Sequence, residues 1–483
     1  MTEMATQPTD SLSDLAQLRV LARSQPLVVE PETRLRELLF RFSQNREDAA
    51  AIADPATRLP LGLIRLRELL HVLGDENADL DDPIAAHMTG APLTLTADTP
   101  AHRARVMMAK RGVDQILLTE ADGTLFGLVG HADLLGAPTI AAETLIATIN
   151  RARDLDAMVI AADQVRRRGA ERFQAGMGIE SLCHWMSGLN DLIAMRVIEL
   201  IEDEFELPPV PWCWLAFGSE GRLEQTFATD QDNGLLFVPP TPDATEDMRQ
   251  AFLPFAQAVN RALHHCGFER CPGDIMAGNP DWCLSAAEWK RRFSDWLEVP
   301  EPEAVLHSSI FFDFRPIYGD GSPADQLRDW LSTNAHSHAR FFHALASLNL
   351  ESTPPIGWTG QFTFDRNRDF PHTIDLKLQG ARYFMDAARL WALKEGVWAT
   401  STAERLRAVA HRQQRNPEEL AAEIEAFHLI QRFRIHQQLQ TRDRDAANRV
   451  DPDDLNELHR LMLKESFKQA KKIQSRIRQE LVF

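Results

Sequence analysis

Cysteine is scarce: Cys183, Cys213, Cys266, Cys271 and Cys283 are the five in 483 residues. The count is odd and no CxxC pair occurs, which argues against a disulfide framework and predicts free, mostly buried thiols. Their spacing with His264 fits no common zinc pattern. Positive charge is also in short supply, with 52 Lys and Arg against 70 Asp and Glu and a formal net charge of −18. A general nucleic-acid binder needs a basic footprint, so no nucleic-acid partner is expected. Long apolar runs are missing as well. None approaches the roughly 18 residues that a membrane helix needs, so no membrane association is expected. The opening MTEMATQPTDSLSDL lacks the basic-then-apolar pattern of a secretion signal. Together these absences predict a soluble, cytoplasmic, globular protein, and the length suggests about three to four domains.

The first organised feature is an internal repeat of about 60 residues. Residues 25–72 and 84–137 each read as a short strand (Pro26–Val29; Pro92–Thr96), a turn, a helix (Thr33–Phe42; Ala101–Arg111) and two apolar strands. The second copy is clearer, with Gln115–Thr119 and Leu125–Val129 flanking Asp122-Gly123, a hairpin signal. Met88-Thr89, Thr94–Thr99, Gly112-Val113 and Gly127–Asp133 give this pair a resemblance to a tandem CBS (Bateman) module, the first copy being degenerate around Pro60–Ile64. That resemblance implies an adenine-nucleotide site built from Ser/Thr and, three residues later, Asp. Here those places hold Gly130 and Asp133 in the second copy, and Arg65 and Glu68 in the first. Only Asp133 keeps the pattern. Two readings stay open: Asp133 accepts from ribose hydroxyls of a bound nucleotide, or the module serves dimerisation and conformational signalling.

Residues 140–206 read as helical. Leu182, Met186, Leu189, Ile193, Val197 and Leu200 form one apolar stripe, the mark of a packing helix, and Pro208, Pro209 and Pro211 end it. Strands and helices alternate over residues 207–345, where Ile310–Tyr318 is expected to be a strand with Asp313 set inside it. Residues 375–483 are helix-rich, with a stripe at Leu420, Ile424, Phe427 and Ile430 and a basic tail from Lys464 to Arg478. The tail is expected to be a solvated helix face.

The chemistry concentrates in Trp212–Val238, WCWLAFGSEGRLEQTFATDQDNGLLFV. Asp230 and Asp232, at i and i+2 ahead of an apolar strand, point to one face and can hold a divalent metal. Gly218 lets backbone approach a phosphate, Ser219 offers a hydroxyl at a helix start, and Arg222 can grip a phosphate bidentately. Asp313, flanked by phenylalanines, is costly to bury unless it is paired with a metal or a donor. Two metals held by such carboxylates would stabilise attacking and leaving oxygens, and Mg²⁺ or Mn²⁺ suits oxygen ligands.

These residues resemble the polymerase-β-like nucleotidyltransferase superfamily, and within it the DUF294 family, related to PII-uridylyltransferase and glutamine-synthetase adenylyltransferase. The carrying stretches are Gly218–Glu224, Thr229–Asn233, Met276–Pro280 with Trp282, Phe312–Pro316, Asp375–Lys377 with Gly380, and Asp386–Leu390. The resemblance implies an α+β multidomain protein: a CBS pair, a nucleotidyltransferase mixed sheet with helices, and a C-terminal helical bundle. The expected boundaries are a leader at 1–20, the CBS pair at 21–137, a helical linker at 138–206, the nucleotidyltransferase domain at 207–345 and a helical domain at 346–483. It makes Asp230 and Asp232 catalytic metal ligands, and Asp313 the third catalytic carboxylate, a metal ligand or the base for the incoming hydroxyl. Gly218, Ser219 and Arg222 hold the triphosphate. Glu224 either supports them or lies on a helix surface. Lys377 and Arg389 reach the nucleotide or form ordinary ion pairs. Asn279 shapes the turn before Pro280. The implied function is Mg²⁺-dependent transfer of a nucleoside monophosphate from an NTP to an acceptor, a protein as in the relatives, under adenine-nucleotide control by a homodimer-forming CBS module. The rival reading is a non-catalytic nucleotide-sensing protein.

Overall fold

The computed structural model describes residues 18–22, 26–44, 49–73, 79–90, 92–99, 104, 107–108, 111, 113–134, 140–364, 369–441 and 443–481. Residues 1–17 of the expected leader, most of the helix expected over Ala101–Arg111, and Gly112 lie outside them. The chain divides into two compact units, Asp14–Ile146 and a larger one that takes in Ala147–Phe483.

In the smaller unit the repeat is plain in the topology. Strand β1 (Leu27–Val29), helix α1 (Leu35–Gln44), β2 (Ala49–Ala53), β3 (Pro60–Arg65) and α2 (Leu66–Leu73) form the first copy. After β4 (Thr89–Gly90) come β5 (Thr94–Thr96), β6 (Gln115–Thr119), β7 (Leu125–Gly130) and α3 (His131–Leu134). In each copy the first strand runs parallel to the second, and the second antiparallel to the third. Asp122 holds the β6–β7 turn by accepting the amide N–H of Thr124 at 3.0 Å. The copies also match where the last strand meets its helix. The Glu68 carboxylate accepts the Arg65 N–H at 3.0 Å, and the Asp133 carboxylate accepts the Gly130 N–H at 2.8 Å.

The larger unit is built on helices α4 (Leu155–Gln174) and α5 (Ile179–Glu202) and a mixed sheet of β8 (Trp212–Ala216), β9 (Asn233–Phe237), β10 (Cys283–Ser285) and β11 (Arg315–Gly319). The short helix α6 (Gly218–Gly221) follows β8, α7 (Thr245–His265) follows β9, and α8 (Ala286–Glu298) follows β10. Strand order is β10-β9-β8-β11, with only the β9–β10 pair parallel. The α5 stripe is buried at every predicted position except Leu200, which is half-buried.

One sequence expectation is overturned here. Ile310–Tyr318 is not a continuous strand: a helix opened by Pro302 runs to Phe311, a turn follows, and β11 begins at Arg315. A short apolar run has no period to separate a buried strand from a buried helix end. Asp313 therefore sits in the turn.

Toward the C-terminus come β12 (Ile374–Asp375), a five-residue π-helix (Lys377–Ala381), α9 (Arg382–Lys394), α10 (Thr402–Arg412), α11 (Pro417–Gln440), β13 (Arg449–Val450) and α12 (Glu457–Leu481). Their apolar faces share one core with the sheet: Leu215, Phe217 and Leu236 join Phe384, Trp391, Ile430, Phe467 and Ile473 in a single buried cluster. The predicted α11 stripe is buried at Ile424, Phe427 and Ile430 and partly at Leu420.

Candidate active site

Asp230 and Asp232 stand at the mouth of β9, separated by Gln231, which points the other way. Gln231 is buried and its side-chain amide donates to the carbonyls of Asn260 (3.1 Å) and Phe268 (2.8 Å). Asn260 donates back to Gln231 and to Asn233, both at 2.9 Å, and Asn233 accepts the Ala277 N–H at 2.9 Å. This amide network holds Gln231 in place between the two carboxylates, which lie close enough for the Asp230 charge to act on Asp232. Asn260 carries no sequence motif. Its part in the site is visible only once α7 is packed behind β9.

Ser219 and Gly218 open α6 on the same side. Gly218 has φ of +53°, and a Cβ there would lie 2.5 Å from Asp232 Oδ2. Only glycine allows this conformation beside that carboxylate at low cost. The Phe217 N–H donates to the Asp232 carbonyl at 2.8 Å, tying the two halves of the motif together. Ser219 is half-buried, with its hydroxyl unengaged among the described residues. Burial pushes the Asp232 carboxyl above the usual carboxylate range, opposed by the Cys271 thiol, which donates to it, and by the nearby Lys377 ammonium. Burial and the neighbouring Asp232 push Cys271 up to about 12, so it remains a thiol donor. Lys377 is exposed at the start of the π-helix, where Asp375 accepts its backbone N–H at 2.9 Å.

Asp313 is elsewhere, and the expectation that it ligates the metal is corrected. It is fully buried and enclosed by three guanidiniums. Oδ1 accepts from Arg389 Nε (3.0 Å) and Arg405 Nη1 (2.6 Å), and Oδ2 from Arg222 Nη1 (2.8 Å) and Arg389 Nη2 (2.7 Å). These neighbours hold its carboxyl far below the usual range in spite of burial. With both oxygens engaged by cations, a metal ion has no lone pair to take and would be repelled.

The expectation that Arg222 grips phosphate is corrected for the same reason. Buried, it gives Nε to Glu224 at 2.8 Å and Nη2 to Met385 Sδ at 3.3 Å. Arg389 gives its remaining nitrogen to Asp386 at 2.9 Å, and Glu224 accepts the Thr402 N–H at 2.6 Å. Arg222, Arg389 and Arg405 are thus engaged by Asp313, Glu224 and Asp386, and Asp386 also accepts from Arg382 at 3.2 Å. Three of the sequence stretches meet in one buried ion-pair network between the sheet and the C-terminal helices. Gly221 is part of it: a Cβ there would lie 1.7 Å from the Asp313 carbonyl oxygen. Asn279 accepts the Asp281 N–H at 3.0 Å ahead of Pro280, a turn-shaping contact.

The hard oxygens available here are those of Asp230 and Asp232, with the Cys271 thiol donating to Asp232; the two carboxylates suit Mg²⁺ or Mn²⁺ with retained waters. Among the described residues no three His, Cys, Asp or Glu converge on a metal-sized space. In the smaller unit Asp133 spends one oxygen on Gly130. A cavity of about 550 Å³ opens on the first copy instead, lined by Glu30, Thr33, Glu37, Arg41, Asp54 and Arg58 among others; Asp133 does not line it.

The mixed sheet thus carries an i, i+2 carboxylate pair ahead of one strand and a Gly-Ser helix start after its neighbour. Family profiles match three parts of the chain. Residues 163–303 match "Putative nucleotidyltransferase DUF294", 339–481 match "Putative nucleotidyltransferase substrate binding domain", and 84–139 match "CBS domain". The chain belongs to the DUF294 nucleotidyltransferase family and carries a CBS region before it. Among solved structures it is similar to a CBS domain protein from Pyrobaculum aerophilum complexed with AMP (20% identity, 24% of this chain and 88% of that one, TM-score 0.23). An uncharacterized conserved protein from Pyrococcus horikoshii (20%, 26% and 92%, 0.24) and the CBS domain of a bacterial CNNM/CorC family Mg²⁺ transporter (19%, 27% and 84%, 0.23) are comparable. No curated protein matches. Among the described residues no helix is long and apolar enough to cross a membrane.

Proposed function

We propose that this chain moves a nucleoside monophosphate from a Mg²⁺-bound NTP to a protein acceptor in the cytoplasm, in the manner of the uridylyl- and adenylyltransferases, with adenine nucleotide at the CBS unit as regulator. The observation that supports it is that Gly218, at the start of α6 beside Ser219, lies against Asp232, two residues on from Asp230, with the Phe217 N–H tied to the Asp232 carbonyl. Bound there, the metal would neutralise charge on the departing pyrophosphate. Asp230 and Asp232 would hold it, Ser219 and the α6 backbone would orient phosphate, and Lys377 would add a cation from the C-terminal side. Within this proposal residues 207–345 are the catalytic portion and 346–483 the lid over it.

The test is transfer of label from each of the four NTPs to proteins of a cell extract, with wild type and Asp232→Asn. Transfer that survives Asp232→Asn rules the assignment out. One observation favours the second reading, a nucleotide sensor without turnover: Asp313 is locked in ion pairs, leaving two carboxylates where the resemblance implies three. Metal-dependent NTP binding with no transfer to any acceptor would select it.

A further inference from the structure

We infer that Arg444 is a phosphate ligand held in reserve on the metal site: it neutralises Asp230 while the cleft is empty and passes to the triphosphate when the metal-bound nucleotide takes Asp230. The inference rests on the proposed nucleotidyl transfer and adds to it the residue that replaces Arg222 at the phosphates.

Position comes first. Arg444 lies in the loop between α11 and β13, and β13 pairs with β12, whose next residues lead into Lys377. The Leu376 N–H donates to the Asn448 carbonyl at 2.8 Å, so the two segments are stitched directly. Asn448 is itself clamped, its side-chain oxygen accepting from Arg434 Nε (3.0 Å) and Gln438 Nε2 (3.2 Å) of α11. One small sheet therefore presents two cations to the carboxylate pair: Lys377 toward Asp232 and Arg444 toward Asp230.

Contact comes second. Arg444 Nη1 lies 3.2 Å from Asp230 Oδ1, and Nη2 lies 4.0 Å from Glu269 Oε1. The guanidinium thus occupies an oxygen that a metal ion needs. Its side chain is 48% exposed, and exposed pairs of this kind are weak and exchangeable. Four buried arginines near the motif are committed: Arg222, Arg389 and Arg405 to Asp313, and Arg315 to Asp191 and the Glu220 carbonyl.

Chemistry comes third. A divalent ion at Asp230 would repel the guanidinium, and the triphosphate arriving with it offers paired oxygens that suit the planar fork of arginine. The same side chain thus competes with bare metal and assists metal-bound nucleotide.

That opposition supplies the test. Full-length wild type, Arg444→Gln and Arg444→Lys are titrated with Mn²⁺ alone, followed by the free-ion electron paramagnetic resonance signal. They are then titrated calorimetrically with Mn²⁺ plus the NTP that wild type binds best. Removing a surface ion pair should tighten Mn²⁺ alone in Arg444→Gln about two- to fivefold. Losing a charge-assisted contact should weaken Mn²⁺–NTP about tenfold or more. Arg444→Lys should keep the competition with bare metal and recover part of the nucleotide affinity. Both affinities unchanged, or both shifted in the same direction, would overturn the inference while leaving nucleotidyl transfer standing. Metal-dependent NTP binding absent from wild type, or undiminished in Asp232→Asn, would overturn the underlying reading instead.

Discussion

Replacing Asp313 by Asn would leave three buried guanidiniums without their shared anion. Breaking a buried pair in this way costs about 3–5 kcal/mol, so Asp313→Asn should unfold at clearly lower denaturant concentration while its folded fraction still binds Mn²⁺ at Asp230 and Asp232 as wild type does. A metal ligand would show the reverse pattern. Gly218→Ala should behave in that reverse way. Its positive φ costs about 1 kcal/mol and the new Cβ would lie 2.5 Å from Asp232 Oδ2, so Asp232 must shift: metal-dependent NTP binding should be lost, with a fall in stability well short of that of Asp313→Asn. Glu220 carries a pH signature. Burial, with Asp191 beside it, raises its carboxyl from 4.5 to about 8. A carboxyl held neutral by the fold leaves stability undiminished below its unfolded value and draws it down as pH rises from there toward about 8. Glu220→Gln should therefore melt higher than wild type at pH 8, with the difference vanishing near pH 4.5, as thermal denaturation across that range would show.

At the scale of elements, the two-residue pair β12–β13 decides where Lys377 and Arg444 stand. Asn448→Ala removes the acceptor for Arg434 and Gln438 that anchors the loop. It should weaken NTP binding several-fold and lower global stability by about 1–3 kcal/mol, because the buried Arg434 and Gln438 donors lose their acceptor. Calorimetry and chemical denaturation would check the two halves. Such a pair has almost no sequence signal, because two residues show no period. The helices at 179–202 and 417–440 and the hairpin at Asp122-Gly123 were legible because their patterns run long enough or use turn chemistry. The stretch at 310–318 is short and apolar throughout, so its pattern does not separate a strand from a helix end, and the place of Asp313 is hidden with it.

The molecule as a whole joins two compact units. In a thermal-shift panel of NTPs on the full-length protein, stabilisation that requires Mg²⁺ should disappear in Asp232→Asn, while any stabilisation by AMP without metal should persist in it. Loss of both together would place adenine nucleotide in the carboxylate cleft instead of the CBS unit. By itself the sequence determined the repeat, the family, and the carboxylate pair with its Gly-Ser partner, because each depends on neighbours within a few residues along the chain. Only the tertiary structure decided which charged residues are used up. Arg222, Asp313 and Arg389 look like site residues when read singly, yet packing brings them within hydrogen-bonding distance of one another and consumes their charge. Arg444, unmarked by any motif, is carried to Asp230 from 214 residues away.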